Sequence, residues 1–118
     1  MSASQRFKNK VVIVSGGADG MGRACSIQLA SEGARVFILD VKEDAAKDLA
    51  RDLSKDGAPV EALRADVMNE SELRRAIATV LERTGGRVDS LINIAGGSAS
   101  GLTADIDLAV WDRLYTLN

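Results

Sequence analysis

Histidine is absent from this chain, and cysteine, proline, tryptophan and tyrosine occur once each. With no His and a single Cys, Cys25, the usual zinc ligand set cannot be assembled, and no metal site is expected. A Ser-His-Asp or Cys-His hydrolase is excluded within these residues for the same reason. One cysteine permits no internal disulfide, which fits a reducing compartment. No apolar run approaches the ~20 residues of a membrane span. The polar start MSASQRFKNK precedes only four apolar residues and has no signal-peptide core, so the expected compartment is cytoplasmic. An excess of one charge is also missing. Fifteen Lys and Arg face 17 Asp and Glu, net −2, with no basic tract. Neither a nucleic acid nor a membrane surface is an expected partner.

What is present is a globular composition in 118 residues, 46% hydrophobic and 27% charged. This length suits one domain, residues 1–118, with a real core. The wholly apolar run at 11–14 predicts a strand buried on both faces. A helix follows over 21–32, with Ala24, Cys25, Ile27 and Leu29 available for burial and Gly33 as its stop. A second strand covers 35–39 and ends at Asp40. Ala45, Ala46, Leu49, Ala50 and Leu53 mark a second helix, closed by Asp56-Gly57 and Pro59. A third strand over 60–65 runs into Asp66-Val67. Asn69 with Glu72 three residues on suggests an N-cap and its return partner. The stripe Leu73, Ala76, Ile77, Val80, Leu81 gives the third helix, ending before Gly85-Gly86. A fourth strand spans 88–94. Asp107 caps a last helix carrying Leu108, Val110, Trp111, Leu114 and Tyr115. Strands alternating with helices predict an α/β fold, a doubly wound parallel sheet between helical layers, in strand order 3-2-1-4.

In such a sheet the loop after the first strand meets ligands at the switch point. Here it reads Ser15-Gly16-Gly17-Ala18-Asp19-Gly20-Met21-Gly22. G-x-G-x-x-G would need Gly at position 25, which is Cys, and a P-loop would need Lys-Ser/Thr where Arg23-Ala24 stand. What fits is Gly16-x3-Gly20-x-Gly22. Alone this is a turn or a phosphate cradle, with helix N–H groups facing the anion. Asp40 ends the second strand 18 residues after Gly22, where an acid accepts from a ribose diol and repels a 2′-phosphate. It could also be a surface acid or a cap for the helix from 43. Position and type together favour the ribose, and hence NAD over NADP.

At this point the chain resembles the short-chain dehydrogenase/reductase family. Ser15-Gly16-x3-Gly20-Met21-Gly22 is similar to the family's Thr-Gly-x3-Gly-Ile-Gly loop, and Asp40, followed by Val41, matches the acid of its NAD-preferring members. Asp66-Val67 matches the pair that bonds and packs on adenine; Asp66 could merely cap the turn before Asn69, and its context favours the adenine role. Asn93-Ile94-Ala95-Gly96 resembles Asn-Asn-Ala-Gly, with Ile94 in place of the second Asn. Trp111-Asp112-Arg113 and Asn118 resemble the stretch leading to the catalytic Asn. The matches span nearly the whole chain, in order.

The resemblance implies hydride transfer between a secondary alcohol or ketone and NAD(H). It implies a small-molecule substrate and a homo-oligomer, dimer or tetramer. It implies cofactor contacts from Ser15, Gly16, Gly20, Met21, Gly22, Asp40, Val41, Asp66, Val67, Asn93, Ala95 and Gly96. Asn118 is the expected catalytic residue, anchoring a water in a proton relay. The family's catalytic Ser and Tyr-x3-Lys lie beyond that Asn. Tyr115 cannot serve, because position 119 lies past the chain. The expectation is therefore the cofactor-binding half of a longer enzyme, inactive alone. The alternative is a non-catalytic module that holds NAD or another adenine nucleotide. Arg23 reads as a solvated side chain, Ser98 and Ser100 as loop residues, Cys25 as helix packing, and the i, i+4 pair Trp111 and Tyr115 as packing.

Overall fold

The computed structural model describes residues 4–118; Met1–Ala3, the start of the polar leader, lie outside the described residues. Among the described residues, four parallel strands form one sheet in the order β3-β2-β1-β4. They are β1 Val11–Ser15, β2 Arg35–Asp40, β3 Val60–Arg64 and β4 Ser90–Asn93. The helices are α1 Gly20–Ser31, α2 Glu43–Lys55, α3 Glu70–Thr84 and α4 Leu108–Leu117, with a 3-10 turn at Thr103–Asp105. The doubly wound order 3-2-1-4 expected from the alternation is the one found.

Strand alternation splits the core in two. Val12, Val14, Val36 and Ile38 point to the face covered by Leu29 and Ala30 of α1 and Ala46, Leu49 and Ala50 of α2. Val11, Ile13, Phe37 and Leu39 point to the other face, against Ala76 and Val80 of α3. Val12, Val14, Val36, Phe37 and Ile38 have no exposed surface. Each such side chain contributes about 1.5–3 kcal/mol on leaving water. The central strands are apolar on both faces because both faces are covered.

Several local expectations are corrected. The buried face of α1 is Gly22, Ser26, Leu29 and Ala30, an i, i+4, i+7, i+8 stripe. Ala24 is exposed, Ile27 is 39% exposed, and Cys25 is only partly covered, against the first core. At its N-terminal end the helix approaches the glycine loop too closely for large residues, so Gly22 and Ser26 take the inner face there and Leu29 enters only further along. Leu81 is also 39% exposed, at the edge of the α3 stripe. Asn69 caps α3 by accepting from Glu72 N–H at 3.1 Å. The return bond is not made: Asn69 N–H goes to the Asp66 carbonyl and the Glu72 carboxylate pairs with Arg64. β4 begins at Ser90 rather than 88, because Asp89 accepts Val11 N–H through its side chain at 2.7 Å instead of a ladder carbonyl. Trp111 and Tyr115 do not pack inward; they are 57% and 84% exposed. None of the ten described residues of α4 is buried.

Candidate functional site

The C-terminal ends of all four strands face one cleft of about 490 Å³. It lies where the chain order reverses between β1 and β4, the place at which open α/β sheets take ligands. The β1 loop supplies Gly16, Asp19 and Gly20. The end of β2 supplies Leu39, Asp40, Val41 and Lys42, and the end of β3 supplies Ala65, Asp66, Val67 and Met68. Ile94, Ala95 and Gly96 follow β4, and Arg113 and Leu117 reach in from α4.

The glycine loop turns tightly against the end of β4. Gly16 sits at φ +73°, and a Cβ there would lie 2.6 Å from Ala95 N. Gly16 N–H donates to the Leu39 carbonyl at 2.7 Å. A Cβ on Gly22 would lie 1.8 Å from the Gly16 carbonyl oxygen, so the first turn of α1 rests directly on the loop. Ser26, with no exposed surface, locks this contact: its hydroxyl lies 3.1 Å from the Gly17 carbonyl and 2.9 Å from that of Gly22. At Gly20, φ +52°, a Cβ would meet nothing within 4 Å, so the loop leaves open space there. In the first turn of α1, Gly20 N–H is taken by the Asp19 carboxylate and Arg23 N–H by the Asp19 carbonyl, and the amides between them have no intrahelical acceptor and present partial positive charge.

Asp40 braces two loops. One carboxylate oxygen accepts from Ala18 N–H at 3.1 Å and the other from Lys42 N–H at 2.9 Å. Each oxygen keeps a lone pair, so the group can still accept from a ligand hydroxyl. Above it, the Lys42 ammonium pairs with Asp19 at 2.7 Å, joining the β1 loop to the loop before α2. Asp19 also accepts Gly20 N–H at 2.8 Å. Its carboxyl is held below the ordinary value, first by the Lys42 hydrogen bond. Lys42 is raised by the same partner. Asp66 accepts Met68 N–H at 2.9 Å through one oxygen, the turn-capping geometry left open by sequence; its second oxygen is available to a ligand.

Eight of the anticipated cofactor residues therefore share this lining: Gly16, Gly20, Asp40, Val41, Asp66, Val67, Ala95 and Gly96. Ser15, Met21, Gly22 and Asn93 do not line it. Ser15 is buried beneath the loop, with its hydroxyl a long 3.5 Å from the Asn93 side-chain oxygen. Met21 is 75% exposed on the outer side of the first turn. Ile94 fills the position of a second Asn by packing against the first core. Among the described residues no buried side-chain polar atom lacks a partner, so this replacement strands none there. The Asn118 amide clasps Gly97: its oxygen accepts Gly97 N–H at 3.1 Å and its nitrogen donates to the Gly97 carbonyl at 3.0 Å. That nitrogen also reaches the Leu114 carbonyl at 2.9 Å.

Sequence reasoning missed Asp19, Lys42, Met68, Arg113 and Leu117. Asp19 was legible as the residue before a helix start, and Lys42 as a cation two positions past Asp40. Arg113 lay within the quoted Trp-Asp-Arg stretch.

This topology and cleft match a defined class. The family model for short chain dehydrogenases matches residues 10–118, and the chain belongs to that family. A curated relative is 2-(S)-hydroxypropyl-CoM dehydrogenase 3 of Xanthobacter autotrophicus, 36% identical over 98% of this chain and 45% of that protein. The crystal structure of gox2181 superposes with a TM-score of 0.91 at 36% identity, over 96% of this chain and 44% of that one. Actinorhodin polyketide ketoreductase with NADPH superposes with a TM-score of 0.86 at 30% identity, over 98% of this chain and 43% of that one. The chain thus spans under half the length of these relatives.

Proposed function

We propose that the cleft holds the adenosine and pyrophosphate of a nicotinamide dinucleotide, with NAD preferred. In this reading the chain is the cofactor-binding half of a longer oxidoreductase acting on a secondary alcohol or ketone. One observation carries it: Gly16, Gly20, Asp40 and Asp66, from three separate strand ends, line one cleft at the switch point. The residues fit the group. The open space at Gly20 and the α1 amides suit a pyrophosphate. Asp40 would accept from the ribose diol, Asp66 would accept from adenine, and Val67 would pack on its ring. Ala95 and Gly96 would border the dinucleotide along the β4 side.

When bound, the dinucleotide supplies the hydride chemistry. This chain's residues bind and orient it. Asn118 holds the Gly97 backbone, and through it the loop that borders the cleft. A role for Asn118 in anchoring a relay water belongs to this proposal, as do a cytoplasmic location and homo-oligomeric assembly. Among the described residues no helix is long and apolar enough to cross a membrane. NAD and NADP are both compatible with the family, and one structural neighbour is described with NADPH. The preference for NAD rests on the Asp40 carboxylate, which would repel a 2′-phosphate.

Calorimetric titration tests this. NAD+ binds, Asp40→Ala weakens it, and Gly16→Val abolishes it, because that side chain would enter the Ala95 backbone. A folded chain that binds no dinucleotide, or one whose NAD+ affinity ignores Asp40→Ala, overturns the reading.

A further inference from the structure

β3 lies at the outer edge of the sheet, and among the described residues it pairs only with β2. Val36 N–H donates to the Pro59 carbonyl, and Ala65 N–H to the Asp40 carbonyl. The alternation of a parallel ladder therefore turns the backbone groups of Glu61 and Leu63 toward β2, and those of Val60, Ala62 and Arg64 outward. Val60 is closed off locally: its N–H goes to the Ala58 carbonyl at 3.0 Å, and its carbonyl takes the Ser54 hydroxyl at 3.1 Å. The N–H and C=O of Ala62 and Arg64 have no partner among the described residues. A groove flanks this edge on each side. The one toward α2, about 280 Å³, is lined by Lys47, Arg51 and Arg83, with Glu61 as its acid. The one toward α3, about 180 Å³, is lined by Arg64 and Arg75, with Glu72 as its acid. Lys47 pairs with Glu43, Arg51 with Asp48, Arg83 with Glu61 and Arg64 with Glu72. All four cations are exposed, so these pairs exchange readily. Cations still outnumber acids here, because Glu61 is shared between Arg83 and Arg35, and Arg75 has no ion-pair partner among the described residues. The surplus stands out on a chain of net charge −2.

We propose that the β3 edge takes an extended acidic segment of a partner protein as an added strand, with Ala62 and Arg64 making the main-chain hydrogen bonds. Strand addition needs open main-chain groups in the plane of the sheet and room on each face for alternate side chains, and this edge has both. Charge selects the occupant. Acidic side chains on one face would meet Lys47, Arg51 and Arg83, and on the other Arg64 and Arg75. A second copy of β3 would bring the same cations against them. A nucleic acid would satisfy the charge, but its phosphate backbone has no N–H to give the Ala62 and Arg64 carbonyls. The same charges keep apolar strands away from the edge, so the requirement for acid is also its selectivity. This docking is independent of the dinucleotide reading, although Arg64 leads directly into Ala65 and Asp66 of the cleft.

Fluorescence anisotropy tests this with a labelled peptide of repeating Glu-Glu-Val and with its counterpart carrying Lys for Glu. The acidic peptide binds the full chain and weakens in high salt, and the Lys peptide does not bind. Lys47→Glu together with Arg75→Glu weakens the acidic peptide on the order of tenfold, the size of two exposed charge contacts. A second measurement leaves the protein unaltered. An acidic peptide N-methylated at alternate residues keeps one donating edge and still binds, whereas a fully N-methylated one does not. In the bound state Ala62 and Arg64 N–H gain protection from hydrogen exchange, while Glu61 and Leu63, already in the β2 ladder, change little. Equal binding of the acidic and Lys peptides, equal binding of the two methylated peptides, or no protection at Ala62 and Arg64 overturns the proposal. Protection that rises with chain concentration in the absence of peptide assigns the edge to a second copy, and an oligothymidylate that displaces the peptide assigns the cations to nucleic acid; either result also overturns it.

Discussion

Replacing Gly22 with alanine sets two physical effects against each other. Gly22 is the third residue of α1, and Gly→Ala in a helix interior ordinarily stabilises by about 1 kcal/mol. Here the new Cβ would lie 1.8 Å from the Gly16 carbonyl oxygen, 2.7 Å from its carbon and 3.0 Å from Gly17 Cα. Even a close C–H···O contact needs about 3.3 Å, so helix and loop must separate by roughly 1.5 Å. Both sides of the clash are backbone, and no rotamer relieves it. Overpacking of this kind costs about 3 kcal/mol at the upper end of its usual range. After the propensity gain, the net loss is about 2 kcal/mol. Gly20→Ala is the control. Its Cβ meets nothing within 4 Å, and the residue sits at φ +52°, so only left-handed strain of about 1 kcal/mol applies. Urea unfolding followed by far-UV circular dichroism reads both, as midpoint shifts at a common slope. Because Gly16 lines the cleft, Gly22→Ala also weakens NAD+ binding. A Gly22→Ala protein as stable as wild type, or no less stable than Gly20→Ala, refutes the close approach of α1 to the loop.

Further outcomes can be checked with the same tools. Ser26→Ala removes the hydroxyl between the Gly17 and Gly22 carbonyls and costs about 1 kcal/mol in urea unfolding; a stabilised variant would contradict the bracing role. Four carboxyls are held below their ordinary values of 3.8 or 4.5: Asp19 by Lys42, Glu32 by Arg6, Glu43 by Lys47 and Asp89 by Val11 N–H. Their contribution is complete above those ordinary values and is lost as pH falls through the depressed folded ones. The urea midpoint is therefore flat near neutrality and drops below about pH 4.5; a rise on acidification would contradict these pairings. Leu91 on edge strand β4 is 55% exposed, and Leu108, Trp111 and Tyr115 on α4 are more exposed still. Such surfaces associate, so sedimentation shows concentration-dependent self-association of the 118-residue chain, and a monodisperse monomer would contradict it.

The fold was legible because its signals are local and agree with one another. Apolar β-branched strands, helix caps at Asp107 and Asn69, and the left-handed stop at Gly85, φ +68°, all survive in the structure. The misses arise where tertiary contact overrides pattern. Apolar periodicity puts Ile27 inside α1, yet the close contact at Gly22 turns Ser26 inward instead. A capping-box spacing cannot say that Arg64 will take the Glu72 carboxylate. Trp111 and Tyr115 share a helix face, but spacing alone cannot say whether anything covers it. At the cleft, Asp40 was legible because topology fixes where its strand ends, whereas Val41, Asp66 and Val67 were anticipated through the family resemblance; all four line it. Lys42 and Asp19 were missed because their importance comes from meeting each other 23 residues apart.

The central claim is that this cleft is the dinucleotide site, and amide chemical-shift mapping during NAD+ titration tests it most directly. The account predicts saturable shifts at Gly16, Gly20, Lys42 and Met68, with little change at the α3 C-terminus around Gly85. Saturable shifts confined to the Trp111–Tyr115 face, or none at the strand ends, would contradict it.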